Sequence, residues 1–266
     1  MIEPELACEQ NADDLARECL YRFLAAALED PLFQDQSILA EERGQKLARE
    51  AASFLREEAQ GQAMVQSFGE LSIDHLELDT FLDLCRCNGH ERASDYDRIF
   101  GLVPARECPP YETEYLSSSE PFMRAQQLAD IAGFYRAFGL EPGRSHPERP
   151  DYLPLELEFM AILLMKKRLA RSSATADPQW VENTAVCAEA EHTFFREHLA
   201  WWVPAFTMGL RRKAVDGYYA ALTIVLAAFV CLERNRLGVP PPRLAIQPAP
   251  IESPEEQEGC AACAAS

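Results

Sequence analysis

The sequence predicts an all-α protein, a single helical-bundle domain of about eight to ten helices. Apolar residues recur at the three- and four-residue spacing of one helix face, and no alternating strand pattern interrupts them. The chain has 266 residues, of which 48% are hydrophobic and 26% charged. This length is enough to bury a large core, and the composition excludes collagen-like, coiled-coil and wholly disordered classes.

The helices are predicted in chain order from local start and stop signals. The first helix is expected from about Asp13 to Glu29 and ends before a proline, which cannot continue a helix. Its apolar face consists of Ala16, Leu20, Phe23, Leu24 and Ala27. Further helices are expected near residues 37–59, 74–87, 92–100, 120–138, 154–171, 178–202 and 214–237. Pro154 and Pro178 suit first helical positions, and Gly238 terminates the last helix.

Two long connections interrupt the helices, at residues 101–119 and 139–153. Connections of this length are uncommon in compact domains and are often functional. The second contains three prolines, which prevent helix formation, so we expect a hinge between two halves of the bundle. The predicted organisation is an N-terminal segment at 1–12, one all-helical domain at 13–238, and a disordered tail at 239–266 that is rich in proline and acidic residues.

The charge balance indicates which partners the protein attracts. Lys and Arg number 25 against 43 Asp and Glu, which gives a formal net charge of −18. Such a chain is repelled by nucleic-acid backbones and by anionic lipid, so neither is an expected partner. A cationic partner is favoured instead.

The location of the protein is predicted from three features. The first ten residues lack both a basic and an apolar signal region, so we expect a cytoplasmic protein. The apolar stretch Gly217–Leu232 is shorter than the roughly 20 residues of a membrane-spanning helix, which predicts a buried core helix and no membrane insertion. Nine irregularly spaced cysteines are typical of reduced thiols and not of a disulfide scaffold.

One carboxylate interrupts an apolar helix face. Leu155, Glu158, Phe159 and Ile162 share a face of the helix that follows the hinge. Burying an unpaired carboxylate is costly, so Glu158 is expected to meet a cation, accept hydrogen bonds or lie at a solvent-filled groove. An internal salt bridge to an arginine of this chain is the alternative.

Four segments are similar to one known family. They are Glu148–Tyr152 followed by LPLELEFM, Asp95–Phe100, Pro109–Tyr115, and Phe195–Leu199 with Trp202 and Pro204. In this order and spacing, over roughly residues 12–238, they resemble the TorD/DmsD/NarJ family of redox-enzyme maturation chaperones. One position departs from the family, whose hinges commonly read Asp-His where this chain has Asp151-Tyr152. A phenol titrates near 10 and not near 6.5, so Tyr152 does not supply the titration of an imidazole at this position.

The resemblance implies an all-helical fold and a partner, without catalysis and without a bound cofactor or metal. The implied partner is the apo catalytic subunit of a molybdopterin-containing oxidoreductase, often bound through its twin-arginine signal peptide. Such a chaperone holds the client until its cofactor is inserted and so prevents premature export. A signal of this type joins a cationic segment to an apolar one, which matches excess carboxylates beside aromatic side chains.

The predicted client-binding residues fall into three groups. Glu112, Glu148 and Asp151 are expected to meet the arginines, with Asp151 the foremost candidate. The apolar part of the peptide is expected to lie against Phe100, Tyr111, Tyr115 and Tyr152. Pro110, Pro150 and Glu158 complete the site. For Tyr111 and Tyr115 the alternative is packing that anchors the loop.

Two other function classes remain open at this stage. The first is an acidic helical scaffold for another basic partner. The second is a diiron carboxylate enzyme, because Glu189 and His192 have the Glu-x-x-His spacing of such bundles. That spacing occurs once, and His192 shares an apolar stripe with Ala188, Phe195, Leu199 and Trp202, so a core histidine is the favoured interpretation.

The tail and the oligomeric state give two further expectations. Cys260 and Cys263 have the spacing of a redox or zinc half-site without a second pair nearby. The last four residues also match a prenylation box, which we interpret as chance. We expect a monomer, although the proline-rich hinge permits a domain-swapped dimer.

Overall fold

The computed structural model describes residues 4–32, 37–85, 89–101, 107–116, 121–141, 143, 148–173, 179–242 and 248. Within these residues the chain forms ten α-helices and no strand, which confirms the predicted all-α fold class. The helices are α1 (Pro4–Leu28), α2 (Ser37–Ala40), α3 (Glu42–Glu58), α4 (Asp79–Cys85), α5 (Gly89–Phe100), α6 (Pro121–Ala137), α7 (Leu153–Ser173), α8 (Gln179–Phe194), α9 (Val203–Lys213) and α10 (Gly217–Arg236). Two 3-10 turns lie at Ile73–His75 and Glu112–Tyr115, and a π-helical turn lies at Phe195–Leu199.

The helix boundaries depart from prediction at several places, and two of these departures involve prolines. The first helix begins at Pro4 and not near Asp13, since a proline is well accommodated in the first turn of a helix. The predicted helix over 178–202 is in fact α8 followed by the π-helical turn. A new helix, α9, then starts at Val203 with Pro204 in its first turn. Proline disfavours helical backbone in the residue before it and lacks an N–H, so the chain restarts there.

Two central helices, α7 and α10, contribute a large part of the core. Six of their large side chains are fully buried: Leu157, Leu163 and Leu164 of α7, and Leu222, Leu226 and Phe229 of α10. Helix α7 packs against α1 and α8, and α10 packs against α4 and α9. Among the described residues, α10 is the one helix long and apolar enough to span a membrane, but 78% of its most apolar window is buried inside the protein. It is the core helix that the sequence predicts.

A buried network of charged residues ties four helices together. Arg17 of α1 is 3% exposed and donates to Glu233 of α10 through Nε (2.7 Å) and Nη2 (2.6 Å). Its Nη2 also donates to Glu191 of α8 at 2.5 Å, and Lys167 of α7 pairs with Glu191 and with Asp14. Burial alone would raise the pKa of Glu191, but Arg17 and Lys167 lower it below its ordinary value. The network therefore fixes α1, α7, α8 and α10 with charges that are neutralised internally.

A cavity of about 680 Å³ opens beside this network. Its lining includes Val181, Ala185 and Ala188 of α8, and the charged part of the lining includes Arg17 and Lys167. Because those cations already pair with buried carboxylates, the charged part of the lining has a structural role.

Candidate functional site

The structure brings the two long connections together. Tyr111 and Tyr152 form an isolated antiparallel bridge. The N–H of Glu112 donates to the carbonyl of Asp151 at 3.0 Å, and the N–H of Leu153 donates to the carbonyl of Pro110 at 2.9 Å. The hydroxyl of Tyr135 in α6 also donates to the carbonyl of Pro150 at 2.8 Å. Segments predicted separately as functional loops therefore form one structural unit. We call the pairing of Tyr111 with Tyr152, and the backbone hydrogen bonds beside it, the loop-to-hinge bridge.

Asp151 lies at the centre of this unit and has internal partners. Its Oδ2 accepts hydrogen bonds from the N–H (3.0 Å) and the hydroxyl (2.7 Å) of Thr113. Arg149 donates to the same carboxylate through Nε (3.0 Å) and Nη2 (2.7 Å). The carboxylate is fully buried. Asp151 therefore holds the loop at Thr113 to the start of α7.

Glu112 is also buried and is held from three sides. It accepts hydrogen bonds from Trp201 Nε1 and Gln127 Nε2, each at 2.8 Å, and lies 3.1 Å from Nδ1 of His198. Burial raises the pKa of Glu112, and the bonds from His198, Gln127 and Trp201 oppose that rise. The carboxyl group thus connects the loop to α6 and to the segment before α9.

His198 takes its position from the π-helical turn. The N–H of Ala200 donates to the carbonyl of Phe195, five residues earlier, at 2.8 Å. One extra residue is thereby accommodated in the helix, as is frequent at functional sites. The imidazole lies between the rings of Phe134 and Phe194, at centroid distances of 5.6 and 4.8 Å. Trp202 Nε1 donates to the carbonyl of His198 at 2.5 Å and closes the turn.

A third carboxyl group of the site, Glu156, is buried without a hydrogen bond to any residue that the structure describes. Burial, and then the negative charges of Glu112 and Asp151, raise its pKa well above the ordinary value. The ionised form of Glu156 is therefore disfavoured, because the group is buried and lies near two other carboxylates.

We expect Glu156→Gln to change how stability depends on pH. In the wild type the folded state retains a proton that the unfolded state loses above about pH 4.3. The contribution of Glu156 to stability therefore falls as the pH rises from there towards its folded pKa. Urea unfolding at pH 5, 6, 7 and 8 should show the variant gaining up to about 1.4 kcal/mol per pH unit over the wild type. The control Glu189→Gln, at an exposed position of α8, should give a constant difference, and parallel curves for Glu156→Gln would contradict the expectation.

Aromatic rings continue the unit towards the surface. Tyr111 packs on Tyr152 at a centroid distance of 5.3 Å, and the guanidinium of Arg149 lies 4.5 Å above the Tyr111 ring. The hydroxyls of Tyr152 and Tyr96 are 3.1 Å apart, and Tyr96 packs on Phe100 at 5.0 Å. These four rings form a continuous row from the loop to the end of α5.

Acidic side chains surround this row. Burial raises the pKa of Tyr96 to about 12, and the negative charges of Asp30, Glu148 and Glu29 add to that rise. Burial and the charge of Glu158 raise the pKa of Glu29 to about 7. Glu148 and Glu158 are exposed, and Tyr96 and Tyr111 are half-buried. We call the set the acidic–aromatic surface; its members are Glu29, Asp30, Tyr96, Tyr111, Glu148 and Glu158.

The predicted client-binding residues divide by exposure. Glu148 and Glu158 are exposed, and Phe100, Tyr111 and Pro150 are half-buried. The others, Pro110, Glu112, Tyr115, Asp151 and Tyr152, are buried. Tyr115 is separate from the row of rings and packs on Trp202 at 5.1 Å. Asp151 and Glu112 already have internal partners, so the direct contact with client arginines predicted for them would require those partners to be displaced.

Two helix-face predictions are also corrected. The carboxylate buried among apolar residues of α7 is Glu156, and Glu158 is exposed. The apolar run of α7 surrounds the helix, so periodicity alone does not select between them. Similarly, His192 and Ala188 lie outside the buried face of α8, and the core histidine of this region is His198.

The diiron alternative gains no support from the described residues. Among them, three side chains are grouped closely enough to hold a metal ion, and these are Asp130, Glu197 and His198. Neither Glu189 nor His192 belongs to this group. The predicted cysteine pair, Cys260 and Cys263, lies outside the described residues.

Sequence reasoning missed four side chains of the site: Gln127, Glu156, Trp201 and His198. Three of them occur in or beside segments that carry the family resemblance. Glu156 belongs to LPLELEFM, His198 belongs to Phe195–Leu199, and Trp201 lies just after that segment. The sequence therefore points to the segments that contain these side chains. Which of the side chains face inward depends on the π-helical turn and on helix packing.

The sequence that forms this helical fold and its loop-to-hinge bridge matches a known protein family. Residues 73–208, just over half of the chain, match the family described as nitrate reductase delta subunit, and the chain is a member of that family. The matched region contains the bridge, the carboxylates Glu112 and Asp151, and the π-helical turn.

Three similar proteins carry more particular names. The selenate reductase assembly chaperone protein of Thauera selenatis is 33% identical over 118 residues, which is 44% of this chain and 56% of that protein. The chlorate reductase assembly chaperone protein of Ideonella dechloratans is 33% identical over 115 residues, 43% of this chain and 54% of that protein. The chaperone protein TorD of Aeromonas salmonicida is 28% identical over 151 residues, 56% of this chain and 62% of that protein. The chain thus spans between half and two thirds of these relatives, and the resemblance to the TorD/DmsD/NarJ family is confirmed.

Proposed function

We propose that this chain is a cytoplasmic assembly chaperone that binds the apo catalytic subunit of a molybdopterin-containing oxidoreductase. Two of the relatives named above are named as assembly chaperones of reductases, and the proposal includes no catalytic step by this chain. Binding is proposed to occur before cofactor insertion and to delay export of the client. The observation that carries the binding proposal is the acidic–aromatic surface beside the loop-to-hinge bridge.

The acidic–aromatic surface matches the chemistry of a twin-arginine signal peptide. Exposed carboxylates of Glu148 and Glu158 are available to arginine side chains, while Tyr96 and Tyr111 are half-buried and leave part of their apolar surface exposed. A hydrogen bond to a charged group contributes roughly 1.5–3 kcal/mol, and ordering a peptide costs about 2–5 kcal/mol. With two such contacts, burial of roughly ten CH₂ groups at about 0.8 kcal/mol each brings the total to a micromolar Kd, about −8 kcal/mol.

The buried members of the predicted site act, in this proposal, as positioning residues. Asp151 and Glu112 fix the loop against α7 and the π-helical turn through the hydrogen bonds given above. Tyr152 supports Tyr111 from below. Direct contact with the client is assigned to Glu148, Glu158, Tyr111, Phe100 and Pro150.

Calorimetric titration with synthetic peptides tests this proposal. The probe carries an Arg-Arg pair followed by an apolar run, and we expect micromolar binding to the full-length chain. The double variant Glu148→Gln/Glu158→Gln should bind at least tenfold more weakly, because each lost charged contact is worth about 1.5 kcal/mol or more. The same affinity for variant and wild type would remove these residues from the site.

Matched controls separate the chaperone from an acidic scaffold. The variant Glu57→Gln/Glu189→Gln removes the same charge from exposed positions of α3 and α8, and it should bind like the wild type. A second peptide keeps the Arg-Arg pair but replaces the apolar run by serine and glycine. Equal binding of both peptides would favour the scaffold, whereas weaker binding of the second peptide supports recognition of a signal sequence.

A further inference from the structure

The imidazole of His198 is fixed by a carboxylate on one side. Nδ1 lies 3.1 Å from Oε2 of Glu112, and that carboxylate is itself held by Trp201 and Gln127. Histidines that bind metals commonly have their second ring nitrogen hydrogen-bonded to a carboxylate, which orients the ring and increases its basicity. The other nitrogen, Nε2, is thereby directed away from Glu112.

Nε2 of His198 points at two further carboxylates. It is fully buried and makes no hydrogen bond to any described residue, although Oδ2 of Asp130 lies 3.3 Å away. Together with Glu197, these side chains offer three ligand atoms that all lie within 4.8 Å of one another. The carboxylate side chains are accessible, Asp130 at 56% and Glu197 at 44%, and Glu197 also pairs with Arg196 at 2.6 Å.

We propose that His198 Nε2, Asp130 and Glu197 bind one divalent cation of the zinc class, with water as a further ligand. Zn²⁺ bonds to nitrogen and oxygen of about 2.0–2.2 Å place tetrahedral ligand atoms roughly 3.3 Å apart, which is the separation of Nε2 and Asp130 Oδ2. Binding requires the exposed side chain of Glu197, which pairs with Arg196, to turn its carboxylate to the same point. One imidazole with two carboxylates suits Zn²⁺ or Mn²⁺, whereas Mg²⁺ and Ca²⁺ prefer oxygen ligands alone.

The position of this site has a consequence for the protein. Asp130 belongs to α6, and Glu197 and His198 belong to the π-helical turn. An ion there joins these two elements and, through Glu112, the loop that carries Tyr111. The inference does not depend on the proposed client, since it rests on this side-chain geometry alone.

Titration with Zn²⁺ alone tests the site. The full chain is used with Cys260→Ser and Cys263→Ser, which removes the tail thiols, after treatment with a chelator. Calorimetry should give one Zn²⁺ per chain. Asp130→Asn/Glu197→Gln should weaken binding at least 100-fold, and Glu112→Gln should weaken it 10- to 100-fold, as is usual for partners of metal-bound histidines.

Controls make the test decisive. The variant Asp97→Asn/Glu189→Gln changes exposed acids elsewhere and should leave the affinity unchanged. Circular dichroism of each variant checks that it is folded, and both changes at the proposed site are at exposed residues. The alternative to a metal is an imidazolium of His198 that pairs with both Glu112 and Asp130, which would hold the same atoms in place. No uptake of Zn²⁺ at millimolar concentration, or equal affinity of Asp130→Asn/Glu197→Gln and its parent, would overturn the proposal.

Replacement by Co²⁺ identifies the ligand type independently. Nitrogen and oxygen ligands should give visible bands without thiolate-to-metal charge transfer. Burial raises the pKa of Cys108 to about 11 and that of Cys231 to about 12, so these thiols stay protonated at pH 7. A strong thiolate band that persists in Asp130→Asn/Glu197→Gln would place the ion on cysteines and contradict the assignment.

Discussion

Arg17→Met should lower the free energy of unfolding by about 3–5 kcal/mol. Arg17 is buried and supplies both hydrogen bonds of a paired contact with Glu233 as well as one to Glu191. Its removal leaves Glu233, which is fully buried, with Tyr21 as its remaining described hydrogen-bond donor. Methionine keeps most of the side-chain volume, so the loss measures the charge more than a cavity. Urea unfolding followed by circular dichroism at pH 7 gives the value.

Two further variants show whether the effect comes from the paired geometry. Arg17→Lys keeps the charge but not the planar fork, so an intermediate loss is expected. Arg22→Met is the matched control, because Arg22 lies on the same helix, is 43% exposed and pairs with Glu18 at 3.2 Å. Its effect should stay within about 0.5 kcal/mol. A loss below 1 kcal/mol for Arg17→Met would mean that the network does not stabilise the bundle.

Asp151→Ala should destabilise the protein by about 2–4 kcal/mol and weaken client binding through the loop. The change leaves the buried N–H and hydroxyl of Thr113 without their acceptor, at a cost of about 1–3 kcal/mol each. Arg149 keeps Glu114, at 3.0 Å, and its contact with the Tyr111 ring. Thermal or urea unfolding measures the loss of stability.

The expected signature of Asp151→Ala differs from that of a contact residue. Its peptide affinity should recover when the loop is stabilised, for example at lower temperature, whereas the loss in Glu148→Gln/Glu158→Gln should persist. Asp97→Ala, at an exposed position of α5, is the control and should change stability by less than about 0.5 kcal/mol. Stability equal to the wild type would contradict the positioning role of Asp151.

Much of the fold follows from patterns that local physics determines. Helices α7 and α10 were predicted within a few residues, because a proline near the start of α7 and a glycine after α10 mark their ends. The break before α9 was missed, although Pro204 was visible in the sequence. An apolar stretch on both sides of that proline conceals the restart, since hydrophobicity continues across it.

The site was less predictable than the fold. Both long connections are predicted to be functional from their length and proline content, and the structure joins them at Tyr111 and Tyr152. Which carboxylate faces inward was not accessible, because Glu156 and Glu158 lie about 200° apart on a helix with apolar residues all round. The pairing of Asp151 with Arg149, two residues apart, depends on an extended turn that periodicity does not describe.

The charged network has a consequence for synthesis of the chain. A ribosome releases Arg17 long before residues 191 and 233, with which it pairs across separations of 174 and 216 residues. Until α8 and α10 emerge, Arg17 has Asp14 of its own helix as a partner but lacks the two distant carboxylates of the network, so its charge resists desolvation. The bundle therefore reaches its native packing only after α10 has been synthesised, and a nascent chain that stalls before α10 remains open to chaperones and proteases.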